Sequence, residues 1–357
     1  MANRYWVGGT GNWNTSNTAN WSATSGGAGG ASVPTSSDIA NFTSGSGTGT
    51  VTITSTVSCA SFYAENFTNI VIAGSNAYAL NVSNSFTLGT ETDWACAVTI
   101  NMNGNGNFIA TAVLGPSGSN YSTININNAS VDLVTDLTAP GVNFNVFGGS
   151  FIQNGSSITI ADATRAGTFT IVQGGVGTID LNAPITAKRI FLDITNVVGF
   201  GCNTAAFVTR DLEVYLSGAR TAGSITLDAS AFGETTVLYN DTNASSGAYL
   251  QPSTTVVQNT TICTLYSDAK ATTSFSALGS SPGSRLTVKS NTTTQRRIYA
   301  NAGTLQNTDF QYIYASGTIV PWTGTSLGDL GNNTNITFNY FPPGTGIGRG
   351  LFFAGTF

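Results

Sequence analysis

The stretch Thr50-Val51-Thr52-Ile53-Thr54 alternates hydroxyl-bearing and branched apolar side chains, one residue at a time. Because successive side chains of a strand point to opposite faces, this alternation predicts a β-strand with one buried and one solvated face. The pattern returns at residues 97–100 (AVTI), 123–126 (TINI), 157–160 (SITI), 168–171 (TFTI) and 224–227 (SITL). Groups of Gly, Asn and Ser separate these segments, and residues that favour helices are scarce. The sequence therefore predicts an all-β protein.

The number of short strands between about residues 50 and 300 bears on the architecture. A parallel β-solenoid accommodates many short strands, because each coil consists of a few strands joined by tight turns around a continuous apolar interior. Asn, Thr and Ser side chains on successive coils can hydrogen-bond to one another, whereas stacked charges would repel. No clean repeat period is visible in the sequence. We therefore expect a parallel β-solenoid, and tandem β-sandwiches are the alternative.

The composition divides the chain into four segments. Residues 1–48 are rich in Trp and Gly and show little alternation, which is typical of a cap or an attachment segment. Residues 49–300 form the repetitive β-body, and residues 301–338 form a closing β-repeat. Residues 339–357 (NYFPPGTGIGRGLFFAGTF) predict an extended arm rich in Phe, Gly and Pro.

Charge and residue usage exclude several functional classes. Only 8% of the 357 residues are charged and the net charge is −5, which argues against nucleic-acid binding. The chain contains no histidine, which excludes histidine-based catalysis and histidine-ligated metals. We therefore predict no metal and no cofactor. The four cysteines lie far apart and predict buried free thiols.

The opening of the chain and its apolar runs bear on localisation. No run approaches the length of a membrane-spanning helix, so membrane insertion is not expected. The opening MANRYWVGGTGNW lacks the charged head and apolar run of a signal peptide. The sequence thus predicts synthesis in the cytoplasm without export by the general route.

Two regions carry a resemblance to known proteins. Residues 4–13 (RYWVGGTGNW), with residues 20–22 (NWS) and 31–38 (ASVPTSSD), resemble a recurring start of tailed-bacteriophage virion proteins. Residues 286–338, with TLQNTDF, PWTGTS and GNNTNITF, are similar to the closing repeat of the same proteins, although Thr337 stands where a Trp usually precedes the final Phe. The resemblance implies a surface-exposed structural protein of a virion, assembled in the host cytoplasm, and provides no catalytic motif.

The tryptophans Trp6, Trp13 and Trp21 recur at nearly even spacing amid Gly and Asn. One interpretation makes them a ligand-binding platform, because aromatic faces suit the C–H faces of sugar rings. The other makes them a cap over the open end of a solenoid, since exposed indoles near a terminus are unfavourable in water. The cap is the favoured interpretation.

Asp211 and Glu213 are weak catalytic candidates. Strand alternation over residues 210–216 (RDLEVYL) buries Leu212 and Val214 and directs both carboxylates to the solvent face. Two carboxylates at i and i+2 lie roughly 6–7 Å apart at Cα, so their side chains could reach the separations used in glycoside hydrolysis. A solvated face beside Arg210 is the simpler interpretation, and we expect the protein not to be an enzyme.

Four phenylalanines in the C-terminal arm predict an assembly interface: Phe341, Phe352, Phe353 and Phe357. Their apolar area favours contact with another surface, and we expect a homo-oligomer, with a trimer favoured. The leading hypothesis is a tail fibre or spike-type adhesin of a bacteriophage that contacts other virion proteins and binds host surface polysaccharide. The alternative is a capsid decoration or head-fibre protein that stabilises or ornaments the shell.

Overall fold

The computed structural model describes residues 1–65, 70–115, 122–172, 177–194, 199–241 and 248–340. This part of the chain contains two short 3₁₀ helices, Ser44–Ser46 and Ser230–Phe232, and no α-helix. Its strands are β1 Ala2–Trp6, β2 Gly11–Trp13, β3 Trp21–Ser22, β4 Asp38–Phe42, β5 Gly49–Ile53, β6 Val57–Cys59, β7 Ser61–Ala64, β8 Ile70–Gly74, β9 Ala79–Val82, β10 Phe86–Leu88, β11 Thr92–Cys96, β12 Thr99–Met102, β13 Gly106–Ala110, β14 Thr123–Leu133, β15 Leu137–Thr138, β16 Asn143–Ile152, β17 Ile158–Thr159, β18 Thr168–Val172, β19 Thr178–Asp180, β20 Ile185–Ile194, β21 Gly199–Gly201, β22 Ala206–Leu216, β23 Arg220–Asp228, β24 Thr236–Asp241, β25 Leu250–Gln258, β26 Ile262–Leu265, β27 Ala269–Lys270, β28 Ser274–Leu278, β29 Leu286–Ser290, β30 Arg296–Tyr299, β31 Leu305–Gln311, β32 Ile313–Ser316 and β33 Thr325–Asp329.

Parallel pairing between successive coils builds a solenoid of about 12 turns. One coil passes through β8, β9 and β10, and the next passes through β11, β12 and β13. Each strand pairs in parallel with its counterpart one coil later: β8 with β11, β9 with β12 and β10 with β13. We call these three sides the first, second and third stack. The prediction of an all-β parallel solenoid is confirmed, and tandem sandwiches are not what the chain forms.

Longer strands turn the corner between two stacks without leaving extended structure. In β22, residues 206–209 pair with β23 on the first stack, and residues 211–214 pair with β24 on the second stack. Thr209 and Leu212 are buried, whereas Arg210 and Asp211 between them both point outward. A corner therefore breaks the alternation of inward and outward side chains once.

Aromatic side chains form a column inside the N-terminal half. Phe62, Phe86 and Phe108 occupy the same register on three successive coils and are fully buried. Their ring centroids lie 4.9 Å apart at each step, with interplanar angles of 12° and 14°. This spacing matches the distance of about 4.8 Å between neighbouring strands, so rings of one type at one register stack directly along the solenoid axis.

An asparagine ladder lines the outside of the second stack. Asn81, Asn101, Asn125 and Asn145 are in register on four coils. Each side-chain amide donates to the Oδ1 of the preceding residue, at 2.9 Å, 2.9 Å and 3.0 Å. Amides serve as both donor and acceptor, so such a ladder satisfies its members without introducing charge.

The N-terminal end of the third stack is covered by a strand of opposite direction. β1 pairs in parallel with β4 on one edge and antiparallel with β3 on the other, with Trp6 opposite Trp21. A free strand edge invites pairing with another chain, and terminal caps of repeat proteins prevent it. The antiparallel β3 therefore ends the solenoid on this side.

Coil length varies while the register is kept. Ile185, Phe207, Ile225 and Thr255 are successive register partners on the first stack. The coil that runs from Ile225 to Thr255 is clearly longer than the coil that runs from Phe207 to Ile225. The described part of the longer coil includes the 3₁₀ helix Ser230–Phe232, which lies between β23 and β24.

Candidate functional site

A chemically distinctive surface lies on the third stack of the C-terminal coils. Ala269, Ile298 and Ala315 point inward from β27, β30 and β32, are in register and are buried. Strand alternation then directs their neighbours Lys270 and Tyr299 outward. Arg297 and Tyr314 form a second outward row, since the two are register partners.

Aromatic rings and cations contact one another across this surface. The ammonium Nζ of Lys270 lies 4.7 Å from the ring centroid of Tyr249 and 5.3 Å from that of Tyr299. It also donates a hydrogen bond to the hydroxyl of Tyr249 at 2.7 Å. The guanidinium of Arg297 lies 5.1 Å from the ring centroid of Tyr314. These cation–π contacts hold long side chains against rigid rings.

The surface is concave. A depression of about 170 Å³ is lined by Tyr249, Asp268, Ala269, Lys270, Arg297 and Tyr299. A second depression of about 250 Å³ is lined by Asp268, Gln295, Arg297 and Tyr314. Because they share Asp268 and Arg297, the two depressions adjoin, and we call them together the tyrosine groove. Asp268 Oδ1 accepts the backbone N–H of Arg297 at 2.8 Å, which fixes this carboxylate between the two depressions.

A larger depression at the N-terminal end has a different chemistry. It measures about 340 Å³ and is lined by Thr15, Val33, Pro34, Thr35, Ser36, Thr56, Val57 and Ser58. Its lining has no aromatic ring and no charge. Ligand sites combine apolar or aromatic surface with a few placed polar groups, and the tyrosine groove matches this description better despite its smaller parts.

The three tryptophans predicted as a ligand-binding platform are fully buried. The ring centroid of Trp21 lies 5.3 Å from that of Trp6 and 5.2 Å from that of Trp13, both edge to face. All three also pack on Phe42. With no exposed surface, Trp6, Trp13 and Trp21 offer no face to a sugar in this structure. Buried indoles at the end of the solenoid are what the capping interpretation describes.

The weak catalytic candidates Asp211 and Glu213 lie half-buried on the second stack. Arg210 forms an ion pair with Asp211, and Arg189 on the preceding coil forms one with Glu213 at 2.9 Å. The hydrogen bond to Asp211 raises the pKa of Arg210 above its ordinary value. Each carboxylate is thus held by a guanidinium on the wall of a flat stack, outside the tyrosine groove. A glycosidase places its two carboxyls on either side of the scissile bond within a concave site. Neither Asp211 nor Glu213 lines any of the three depressions described above.

The remaining sequence predictions concern the assembly interface, membrane insertion and metal binding. Phe341, Phe352, Phe353 and Phe357, the predicted assembly interface, lie outside the described residues. In the described ranges, no helix is long and apolar enough to cross a membrane. The same ranges bring together no group of three Cys, Asp or Glu side chains that could hold a metal ion.

Comparisons of the chain with protein-family models, curated proteins and solved structures return no match. The fold and the groove define the chain as a three-sided parallel β-solenoid with an aromatic and cationic trough on one side.

Sequence reasoning missed the tyrosine groove, although a signal for it is present. Lys270, Tyr299 and Tyr314 each stand between two small or apolar residues, in Ala269-Lys270-Ala271, Ile298-Tyr299-Ala300 and Ile313-Tyr314-Ala315. This repeated triplet indicates three short strands with one large outward side chain each. Aligning them on one surface requires the coil register, which the structure provides.

Proposed function

We propose that the chain is a non-enzymatic structural protein of a bacteriophage virion, an adhesin of the tail fibre or spike type that binds host surface glycans. The observation that carries the binding part is the tyrosine groove. Tyr249, Tyr299 and Tyr314 supply apolar aromatic surface for sugar C–H groups, while Asp268 and Gln295 supply acceptors and donors for hydroxyls. The virion part is supported by the resemblance of residues 4–38 and 286–338 to phage virion proteins.

The solenoid is suited to presenting a binding surface on the outside of a virion. It is a long body with neutral ladders outside and an apolar interior, and its low charge leaves little repulsion between subunits packed side by side. We include a homo-oligomer, with a trimer favoured, and contact with other virion proteins in this proposal. Sedimentation equilibrium of the full chain measures the subunit number, and a monomer at micromolar concentration contradicts this part.

Glycan retention tests the adhesin. The purified chain should be retained on surface polysaccharide extracted from candidate host bacteria, and Tyr299→Ala should weaken retention roughly threefold to tenfold, as expected for one aromatic contact. Tyr63→Ala is the matched control, because Tyr63 is an outward tyrosine of the same stack, far from the groove. Equal loss in both variants, or no retention on any envelope fraction, contradicts the proposal.

Two further measurements separate the alternatives. The non-enzymatic assignment predicts that no reducing ends are released from a retained polysaccharide, and that the double change Asp211→Asn with Glu213→Gln leaves retention unchanged. Antibody-gold labelling of particles should mark the tail. Labelling over the shell would instead favour the capsid decoration alternative.

A further inference from the structure

The tyrosine groove carries two cations that take part in no ion pair of the described residues. Among those residues, ion pairs are formed by Arg165, Lys188, Arg189, Arg210 and Arg285. Lys270 and Arg297 are not among them, although the chain has only 12 cations and an acidic balance of −5. Against these two cations the groove holds one carboxylate, Asp268, which accepts a backbone N–H. The trough is therefore locally cationic on an acidic protein.

Both cations lie against aromatic rings. Lys270 lies between the rings of Tyr249 and Tyr299 and donates to the Tyr249 hydroxyl, which occupies only one of its three N–H donors. Arg297 lies over the ring of Tyr314 and is exposed. Side chains ordered before binding lose less entropy when a ligand arrives. The remaining N–H donors of Lys270 and those of Arg297 are thus available to an anion, and the ring contacts restrict both side chains before it binds.

The outward residues form two rows along the solenoid axis. Lys270, Tyr299 and Ser316 are in register on three coils, and Arg297 and Tyr314 are in register beside them. Neighbouring coils are about 4.8 Å apart, which is close to the length of one pyranose residue in a linear chain. A glycan lying along the axis would therefore meet a ring or a cation with each successive sugar.

We propose that the tyrosine groove binds an acidic polysaccharide, one whose sugars carry carboxylates, with the glycan chain running along the solenoid axis. This inference rests on the proposed glycan-binding function and names the substrate class. The planar guanidinium of Arg297 matches a carboxylate, and Lys270 provides a point charge one coil away. Tyr249, Tyr299 and Tyr314 line the groove beside these cations and offer apolar aromatic surface to the sugars. A single-stranded polynucleotide also combines anions with flat rings, but its dense phosphates are poorly matched to an acidic protein with two cations in the site.

The experiment measures binding of the full chain to a panel of polymers by biolayer interferometry. The panel contains polygalacturonate, alginate and hyaluronan, each also after chemical reduction of its carboxylates to hydroxymethyl groups, together with dextran and a single-stranded oligonucleotide. The matched pairs differ only in the anionic group. We expect binding to at least one acidic member that carboxyl reduction weakens at least tenfold and that falls as salt rises.

Variants locate the binding site. Lys270→Gln and Arg297→Gln should each weaken binding to that acidic member roughly tenfold, as expected for loss of a charge-assisted hydrogen bond. Lys289→Gln is the matched control, because it removes the same charge from an outward position on the second stack of a neighbouring coil and should change nothing. Thermal unfolding of all three variants shows whether the fold is intact.

The outcomes separate this inference from the proposed function. Equal binding before and after carboxyl reduction would overturn the acidic specificity and leave the glycan-binding function standing. Binding to the oligonucleotide alone, or equal losses in Lys289→Gln and Lys270→Gln, would also overturn the inference. Failure to bind any polysaccharide, whether acidic, reduced or neutral, would overturn both the specificity and the adhesin.

Discussion

Replacing Trp21 by alanine should open the N-terminal end of the solenoid without affecting the groove. Trp21 is fully buried on β3 and packs edge to face on Trp6, Trp13 and Phe42. Truncation of a buried tryptophan costs about 3–5 kcal/mol. Among the described residues its indole N–H has no hydrogen-bond partner, and removing that buried donor returns about 1 kcal/mol. We therefore expect a net loss of about 3 kcal/mol from these two contributions.

The loss should be local, because each coil of a solenoid contacts only its neighbours. A change of about 3 kcal/mol raises the local opening equilibrium roughly a hundredfold. Hydrogen exchange measured by mass spectrometry should show faster exchange in β1 and β4, and unchanged exchange in β29 and β31. Trp322→Ala is the control at the other end, where the ring stacks on Phe275 with centroids 5.8 Å apart, and it should reverse this distribution.

Two observations would refute this reasoning. Trp21→Phe keeps most of the ring and removes the unpaired N–H, so it should cost no more than about 1.5 kcal/mol. A cost equal to that of Trp21→Ala would show that the edge-to-face packing is not what matters. Loss of polysaccharide retention in Trp21→Ala with the solenoid intact would show that the tryptophans bind the ligand after all.

Further predictions concern ion pairs, acid and thiols. Arg285→Met should cost about 3 kcal/mol in denaturant unfolding, because Arg285 and Asp309 form a nearly buried pair at 2.6 Å, whereas Arg165→Met, in a pair that is one-third exposed, should cost under about 1 kcal/mol. Asp162 is slightly desolvated, but hydrogen bonds from Thr164 and Arg165 outweigh this and lower its pKa to about 2, from an ordinary value of 3.8. This carboxylate therefore contributes stability that is complete above about pH 4 and is lost as the pH falls toward 2, so the melting temperature of Asp162→Asn should approach that of the unchanged protein over this range; a constant gap would contradict it. Burial raises the pKa of all four cysteine thiols, so Ellman's reagent should label none in the folded protein at about pH 8 and all four after unfolding.

The strand content and the solenoid could be predicted because alternation is a local property. The run from Thr50 to Ile53 encodes an inward and an outward face without reference to any other part of the chain, and the buried Val51 and Ile53 confirm that reading. The three-sided arrangement could not be predicted in the same way. Coils of unequal length leave no fixed period in the sequence, so the alignment of one coil on the next is not visible there.

The candidate site shows the same division between local and non-local information. That Lys270 and Tyr299 point outward follows from their buried neighbours, but β28 and β29 lie between them along the chain, and they become adjacent only through the pairing of β27 with β30. For the tryptophans, residue type predicts either burial under other residues or contact with a ligand, and only the packing of the folded chain shows that all three rings are covered. Both cases required contacts between residues distant in sequence.

The variable coil length has a consequence for how this chain can diversify. The step from Phe207 to Ile225 and the longer step from Ile225 to Thr255 keep the same alignment of the first stack, and the longer step contains the 3₁₀ helix Ser230–Phe232 between β23 and β24. Peptides inserted at a corner between two stacks should leave the stacked interior unchanged and project sideways from the solenoid. Evolution could thus change the exposed surface of the protein by insertions at individual corners while the stacked solenoid stays the same.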